Sequence, residues 1–321
     1  MSNTVETSRT HITTHIITVN APAATVYGLI SDVTKWPYIF SPTVHVQTMQ
    51  LDENNERLRL WAFANGEVRT WASRRTLDPD CLRIRFHQVI TSPPVESMGG
   101  EWVIEPLANG ATRVVLLHDF TIINDDPDDR AFVTKAVDHN SNAELASLKR
   151  AAELGDDFEL LVLTFTDSIT IHAPVDQVYD FLYRADLWPL RLPHVARLEL
   201  SETTPNVQSM EMDTKSTDGS IHTTKSVRVC FPNEAIVYKQ TATPEIMAAH
   251  TGRWDFKEKY GANGATVELS STHTVVIRPE IIPKVLGPEG TVQLAREKIQ
   301  HALSTNSMTT MKTAKAFGEG S

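Results

Sequence analysis

The residues with the clearest chemical potential lie on one face of a strand. In an extended chain alternate side chains share a face, so Glu67, Arg69, Trp71, Ser73 and Arg75 point one way and Val68, Thr70, Ala72 and Arg74 the other. Two environments fit such a face. It is either the wet side of an antiparallel sheet or the wall of a cavity, where Arg75 needs a partner or a polar ligand because an unpaired buried charge is costly. Trp61, sharing a face with Arg59 and Phe63, and Trp102, just after Gly99-Gly100, are further candidate walls. Tyr38 and Phe40, after Trp36-Pro37, are placed to rim a mouth. Flat aromatic walls suit a planar ligand, excluding water and limiting its conformers. His118, between Leu116 and Phe120 on its own strand face, is either a packed structural histidine or an acid/base group working near neutral pH. Asn140 joins them if the helical phase of Asn140, Glu144 and Ser147 points inward.

Other chemistries lack their signatures. There is no G-x-S-x-G elbow, P-loop, H-E-x-x-H motif or dinucleotide glycine fingerprint. The 12 histidines are scattered without metal-ligand spacing. A reaction without metal or cofactor is therefore expected. The net charge of -10, with no Lys/Arg cluster, argues against nucleic-acid binding. Cys81 and Cys230 read as reduced thiols of a cytoplasmic protein, and neither a secretory signal nor an apolar run of membrane length is recognisable.

These residues must be positioned by elements, and the elements occur twice. A chain of 321 residues with 41% hydrophobic content fits two globular domains rather than one core. Ala21-Pro22, Val26-Tyr27 and Trp36-Pro37 return 152 residues later as Ala173-Pro174, Val178-Tyr179 and Trp188-Pro189. Gly100-x-Trp102 matches Gly252-x-Trp254, Asn109-Gly110-Ala111-Thr112 matches Asn263-Gly264-Ala265-Thr266, and Asn140-Ser141 matches Asn306-Ser307. A period of this length means duplicated domains, not a solenoid. The polar turn Gly155-Asp156-Asp157 sets the expected boundary, giving domains over 1–155 and 156–321. Each half reads as a strand, a Pro-initiated helix, a short turn at Trp-Pro, six strands separated by turn residues such as Asn65-Gly66, and a long helix. That order is α+β with an antiparallel sheet. In the second half Thr224 stands for Trp71, Ser226 and Arg228 stand for Ser73 and Arg75, and His222 shares their face. Trp254 repeats Trp102, but Trp61 has no aromatic counterpart. The N-terminal half is thus expected to carry the chemistry, with the C-terminal half structural, a docking surface or a second pocket.

This element order resembles the helix-grip fold of the START and Bet v 1 group, a seven-stranded sheet wrapped around a long C-terminal helix. Its two-copy form resembles the di-domain aromatase/cyclases of bacterial aromatic (type II) polyketide synthases. The residues that carry the resemblance are Trp36-Pro37, Trp71-x-Ser73-x-Arg75, Trp102, His118-Asp119-Phe120 and Asn140-Ser141. The resemblance implies a cofactor-independent lyase of antibiotic biosynthesis. It would close the first ring of a ketoreduced poly-β-ketone on an acyl carrier protein by an aldol condensation between carbons 7 and 12, then dehydrate it. In that reading Arg75 and Ser73 hold an enolate oxygen and His118 moves the proton, with the other synthase subunits as partners. A tyrosine that some single-domain relatives carry past Trp-Pro is Thr43 here, so a phenolic proton donor at that place does not transfer. The competing reading is a START-type carrier of a lipid or hydrophobic metabolite.

Overall fold

The computed structural model describes residues 9–215, 219–261 and 264–320, so Asn263 of the second turn motif lies outside the described residues. The chain forms two compact units that divide after Phe158. The first runs β1 (His11–Val19), α1 (Ala23–Ser31), α2 (Trp36–Ile39), β2 (Thr43–Gln50), β3 (Asn55–Ala64), β4 (Glu67–Asp78), β5 (Arg83–Ile90), β6 (Val95–Pro106), β7 (Thr112–Ile122) and α3 (Pro127–Leu154). Its sheet has the order β1-β7-β6-β5-β4-β3-β2, with every neighbouring pair antiparallel. Hairpins join β2 through β7, and β1 closes against β7.

After α4 (Asp156–Leu161), the second unit runs β8 (Val162–Ile171), α5 (Val175–Tyr183), α6 (Trp188–Arg191), β9 (Val195–Thr204), β10 (Val207–Lys215), β11 (Ile221–Phe231), β12 (Ala235–Ala242), β13 (Met247–Gly261), β14 (Gly264–Ile277), α7 (Ile282–Leu286) and α8 (Val292–Gly318). Its sheet repeats the first, in the order β8-β14-β13-β12-β11-β10-β9. The added α7 occupies the extra sequence around Pro279 to Gly290. Each unit is a helix-grip domain.

Local chemistry explains the element ends. Asn65 and Gly66 both take positive φ, 51° and 86°, as the tight β3–β4 turn requires. Asp126 caps α3 by accepting from the backbone N–H groups of Asp128 and Asp129, Pro127 occupies the first turn, and the helix stops at Gly155 with φ 54°. Leu82 adopts φ 53°, which bends Cys81-Leu82 into a turn and delays β5 to Arg83. β6 begins at Val95, which pairs with Ile122 ahead of a bulge between Val95 and Ser97.

Candidate active site

In the N-terminal unit the concave face of the sheet and the inward face of α3 enclose a cavity of about 150 Å³. Register decides which side chains reach it. Leu60 pairs with Trp71 and Ala62 with Arg69, and all four line the cavity. Trp36, Thr43 and Met98 complete the mainly apolar wall, and Gln88, His118, Asn140, Ser141 and Glu144 bring hydrogen-bonding groups. Asn140 and Ser141 each lie about one turn before Glu144 on α3, at i,i+4 and i,i+3 spacing. Asn140 fixes that phase, since its Nδ2 donates to the Phe63 carbonyl at 2.7 Å and ties α3 to β3.

His118 sits opposite Gly100 in the β6–β7 ladder, and Gly100 faces Phe86 across β5–β6. With no Cβ at Gly100, the Phe86 ring lies over that backbone and meets the imidazole edge-on at 5.4 Å between centroids. The His118 Nδ1 is buried without a hydrogen-bond partner. Desolvation, with the neighbouring His15 adding to it, lowers the His118 pKa to about 4. Glu144 moves the other way: burial raises its carboxyl to about 7. Burial therefore reverses the usual order of the two groups. Between those values the imidazole is free base and the carboxyl keeps its proton, an acid and a base held ready in one cavity.

The arginine of the Trp-x-Ser-x-Arg motif does not have the expected role. Arg75 does lie on the concave face, but at the closed end of β4, beneath the C-terminus of α1. Its guanidinium donates to the carbonyls of Ile30 at 3.0 Å and Ser31 at 2.6 Å. It also pairs with the buried Glu56 carboxylate, with Nε at 2.7 Å from Oε1, and lies 5.2 Å above the Trp36 ring. The last carbonyls of a helix have no intrahelical donor. Arg75 supplies one and is itself neutralised by Glu56, so it clamps α1 to the sheet and is not available to an enolate. Ser73, also buried, lies between it and Trp71 and outside the cavity lining.

Other expected walls also pack elsewhere. Trp61 alternates with the cavity residues Leu60 and Ala62 and so faces the opposite side of β3, against His45 and under Arg59. Trp102 is on the concave side, but it stacks on Phe40 at 6.4 Å, and Phe40 packs edge-on to Trp36, so both belong to the core. Tyr38 is half-buried outside the lining. In the second unit Arg228 repeats the clamp, donating to the Leu182 carbonyl at 2.6 Å above the Trp188 ring. Trp254 is in the core, Ser226 is buried on the concave face, and His222 is exposed at the end of β11 beside Ser220. Sequence reasoning gave Glu144 no chemical role, since a helical Glu is by default solvated. Its one signal was the inward phase it shares with Asn140.

A helix-grip tandem with an acid–base cavity is thus the class that fold and site define. Sequence models described as "Polyketide cyclase / dehydrase and lipid transport" match residues 8–153 and 171–289. The granaticin polyketide synthase bifunctional cyclase/dehydratase of Streptomyces violaceoruber is 40% identical over 305 residues, covering 95% of this chain and 93% of that protein. The actinorhodin polyketide synthase bifunctional cyclase/dehydratase of Streptomyces coelicolor is 42% identical over 318 residues, covering 95% and 96%. Among solved structures, the di-domain ARO/CYC BexL from the BE-7585A biosynthetic pathway superposes with a TM-score of 0.84 at 48% identity, covering 96% of this chain and 99% of that one. StfQ, the di-domain ARO/CYC from the steffimycin pathway, gives 0.82 at 35% identity, with 96% and 98% covered. The chain belongs to the polyketide cyclase/dehydrase family, and it is an enzyme of that family. Among the described residues no helix is long and apolar enough to cross a membrane.

Proposed function

We propose that this protein is a bifunctional cyclase/dehydratase of a type II polyketide synthase, working in the N-terminal cavity on a ketoreduced poly-β-ketone held by an acyl carrier protein. Carbons 7 and 12 are joined to make the first ring, in the cytoplasm and beside the other synthase subunits. The observation that carries this reading is the pair of inverted groups, His118 held as free base and Glu144 held protonated, lining one cavity with Trp71. A cavity of about 150 Å³ is the size that takes a benzene ring. It accommodates the closing ring while the rest of the chain trails out of the open side.

The chemistry follows from those groups. A methylene between two carbonyls is already acidic, so a weak base suffices. His118 takes its proton, the enolate carbon attacks the target carbonyl, and the Glu144 carboxyl protonates the resulting alkoxide. Removal of a second α-proton and departure of the hydroxyl, protonated as water, then form the double bond. Trp71 and the apolar wall hold the chain folded for the attack. Arg69 is the arginine that lines this cavity, so it takes over the contact with a substrate oxygen once expected of Arg75.

The test is reconstitution with carrier protein, synthase and ketoreductase, with product profiling and isotopic tracing of the new carbon–carbon bond. His118→Leu should lower the correctly cyclised aromatic product by about 100-fold, the lower end for removing a general acid or base, with spontaneously cyclised products replacing it. Equal profiles for wild type, His118→Leu and a no-enzyme control would refute catalysis and favour the carrier reading. A ring closed between other carbons would overturn the assigned regiochemistry.

A further inference from the structure

The C-terminal unit holds more hydrogen-bonding chemistry than the N-terminal unit at the corresponding place. Register makes Tyr238, Gly252 and His273 the counterparts of Phe86, Gly100 and His118. The 152-residue period makes Gln240 and His250 the counterparts of Gln88 and Met98, and the Asn-Ser match makes Ser307 that of Ser141. Gln88, Met98, His118 and Ser141 all line the N-terminal cavity. Their counterparts therefore lie between sheet and α8 where a ligand of this fold would sit.

His273 is the hub of this cluster. Its Nδ1 is 3.0 Å from the Tyr238 hydroxyl and 3.0 Å from the His250 Nε2. Its Nε2 is 2.6 Å from the Ser307 Oγ and 3.2 Å from the Ser271 Oγ. A neutral imidazole offers one N–H and one lone pair. With the His273 proton on Nε2 and donated to serine, the single Nδ1 lone pair is shared by the Tyr238 O–H and the His250 Nε2–H. The His250 Nδ1 is then a lone pair, buried and without a partner, and so is the Oε1 of Gln240. Both are acceptors, and a buried unpaired acceptor is a standing cost that a donor would relieve. His250 is 2% exposed, whereas Tyr238 and Gln240 keep accessible surface although they lie on the concave face. Met210 and Met212 on β10, like Tyr238, pack partly buried against the C-terminal core, soft apolar surface that adapts to a flat molecule.

We propose that the C-terminal unit holds a second ligand site, built on His250, Gln240 and the Tyr238–His273 pair, that takes a neutral planar compound through its hydroxyl groups: a phenol or an enol. Burial holds His250 at about 3 and His273 at about 4, so both imidazoles are uncharged at neutral pH and offer nothing to an anion. The assignment rests on the C-terminal cluster alone and stands whether or not the N-terminal cavity closes a ring.

The duplication supplies a fold-compatible variant. Tyr238→Phe with His250→Met installs the residues that the N-terminal unit already carries at those positions. Full-length protein labelled with ¹⁵N-histidine is titrated with 1,3-dihydroxynaphthalene and, separately, with 1,3-dimethoxynaphthalene, which has the same rings and no donor. The His250 Nδ1 resonance, assigned by its loss in His250→Met, should shift and saturate with the diol. The dimethoxy compound should need at least tenfold higher concentration for any shift. In the double variant the His273 resonances should lose their response to the diol. An unmoved His250 Nδ1, an equal response to both compounds, or an unchanged His273 response in the double variant would each overturn the site and leave the cluster as internal packing.

Discussion

At the scale of single residues the Glu144 carboxyl is the most informative group, because its environment sets activity and stability against each other. Its pKa is raised by burial to about 7 in the folded chain, against an ordinary carboxyl value in the unfolded chain. A raised folded value means the native state holds its proton more tightly. The associated stability is complete below the unfolded value and is lost as pH rises through the folded one. Glu144→Gln removes that loss. It should leave the melting temperature unchanged at pH 4 and raise it at pH 8, where relief on the order of 3 kcal/mol is available. The same substitution removes the proton donor, so cyclised product should fall. In the wild type, turnover should decline below about pH 4 as His118 charges and above about pH 7 as Glu144 ionises. Equal melting temperatures of the two proteins at pH 8 would show the carboxyl is not desolvated. The sequence could not have shown this, because a helical Glu is marked as buried only by the residues packed around it.

At the scale of elements the pattern was largely legible, and the gaps have physical causes. Strand parity put Trp71, Ser73 and Arg75 on one face, and all three lie on the concave side. Parity says nothing about position along the strand, and Arg75 is two residue pairs beyond Trp71, under α1 instead of in the cavity. Trp61 was misjudged for a different reason: it is buried although its face of β3 also carries the exposed Arg57 and Arg59, while Leu58, Leu60 and Ala62 make the concave face that pairs Leu60 with Trp71. Gly100 shows how closely the strands fit. A Cβ there would run into the Leu117 carbonyl oxygen and the Phe86 ring. The backbone oxygen cannot step aside, so Gly100→Ala must shift β6 against β7 or displace Phe86 from His118. It should cost at least the 1–3 kcal/mol typical of overpacking and lower activity beyond what the loss of folded protein explains. Gly110→Ala meets no neighbouring atom but must hold φ 81°. It should therefore destabilise through backbone strain alone and leave the activity of the folded fraction intact. Denaturation midpoints with activity per folded molecule separate the two cases.

At the scale of the whole molecule, duplication has kept the clamp and altered its electrostatics. Arg75 faces Glu56 across β3–β4, and Arg228 faces Gln208 across β10–β11. Among the described residues no carboxylate lies within ion-pair distance of Arg228, and its Nη1 is buried without a partner. Removing one member of a buried pair strands the other charge, at about 3–5 kcal/mol. Arg75→Ala leaves the buried Glu56 carboxylate without its cation and with only the Thr48 hydroxyl, whereas Arg228→Ala strands no charge and removes one that was poorly compensated. The first variant should therefore be clearly the less stable, and Arg75→Ala/Glu56→Gln should recover part of the loss. The damage should also stay local. One core cluster gathers Phe120, Ile122, Val133 and Val137 from the N-terminal unit, and two others, among the described residues, gather C-terminal residues from Leu161 onward. Hydrogen exchange read by mass spectrometry should show Arg75→Ala accelerating exchange in peptides covering α1, β3 and β4 while β10 and β11 keep their protection. Arg228→Ala should do the reverse, more weakly. Uniform acceleration across both halves by either variant would show that the two units open as one cooperative body.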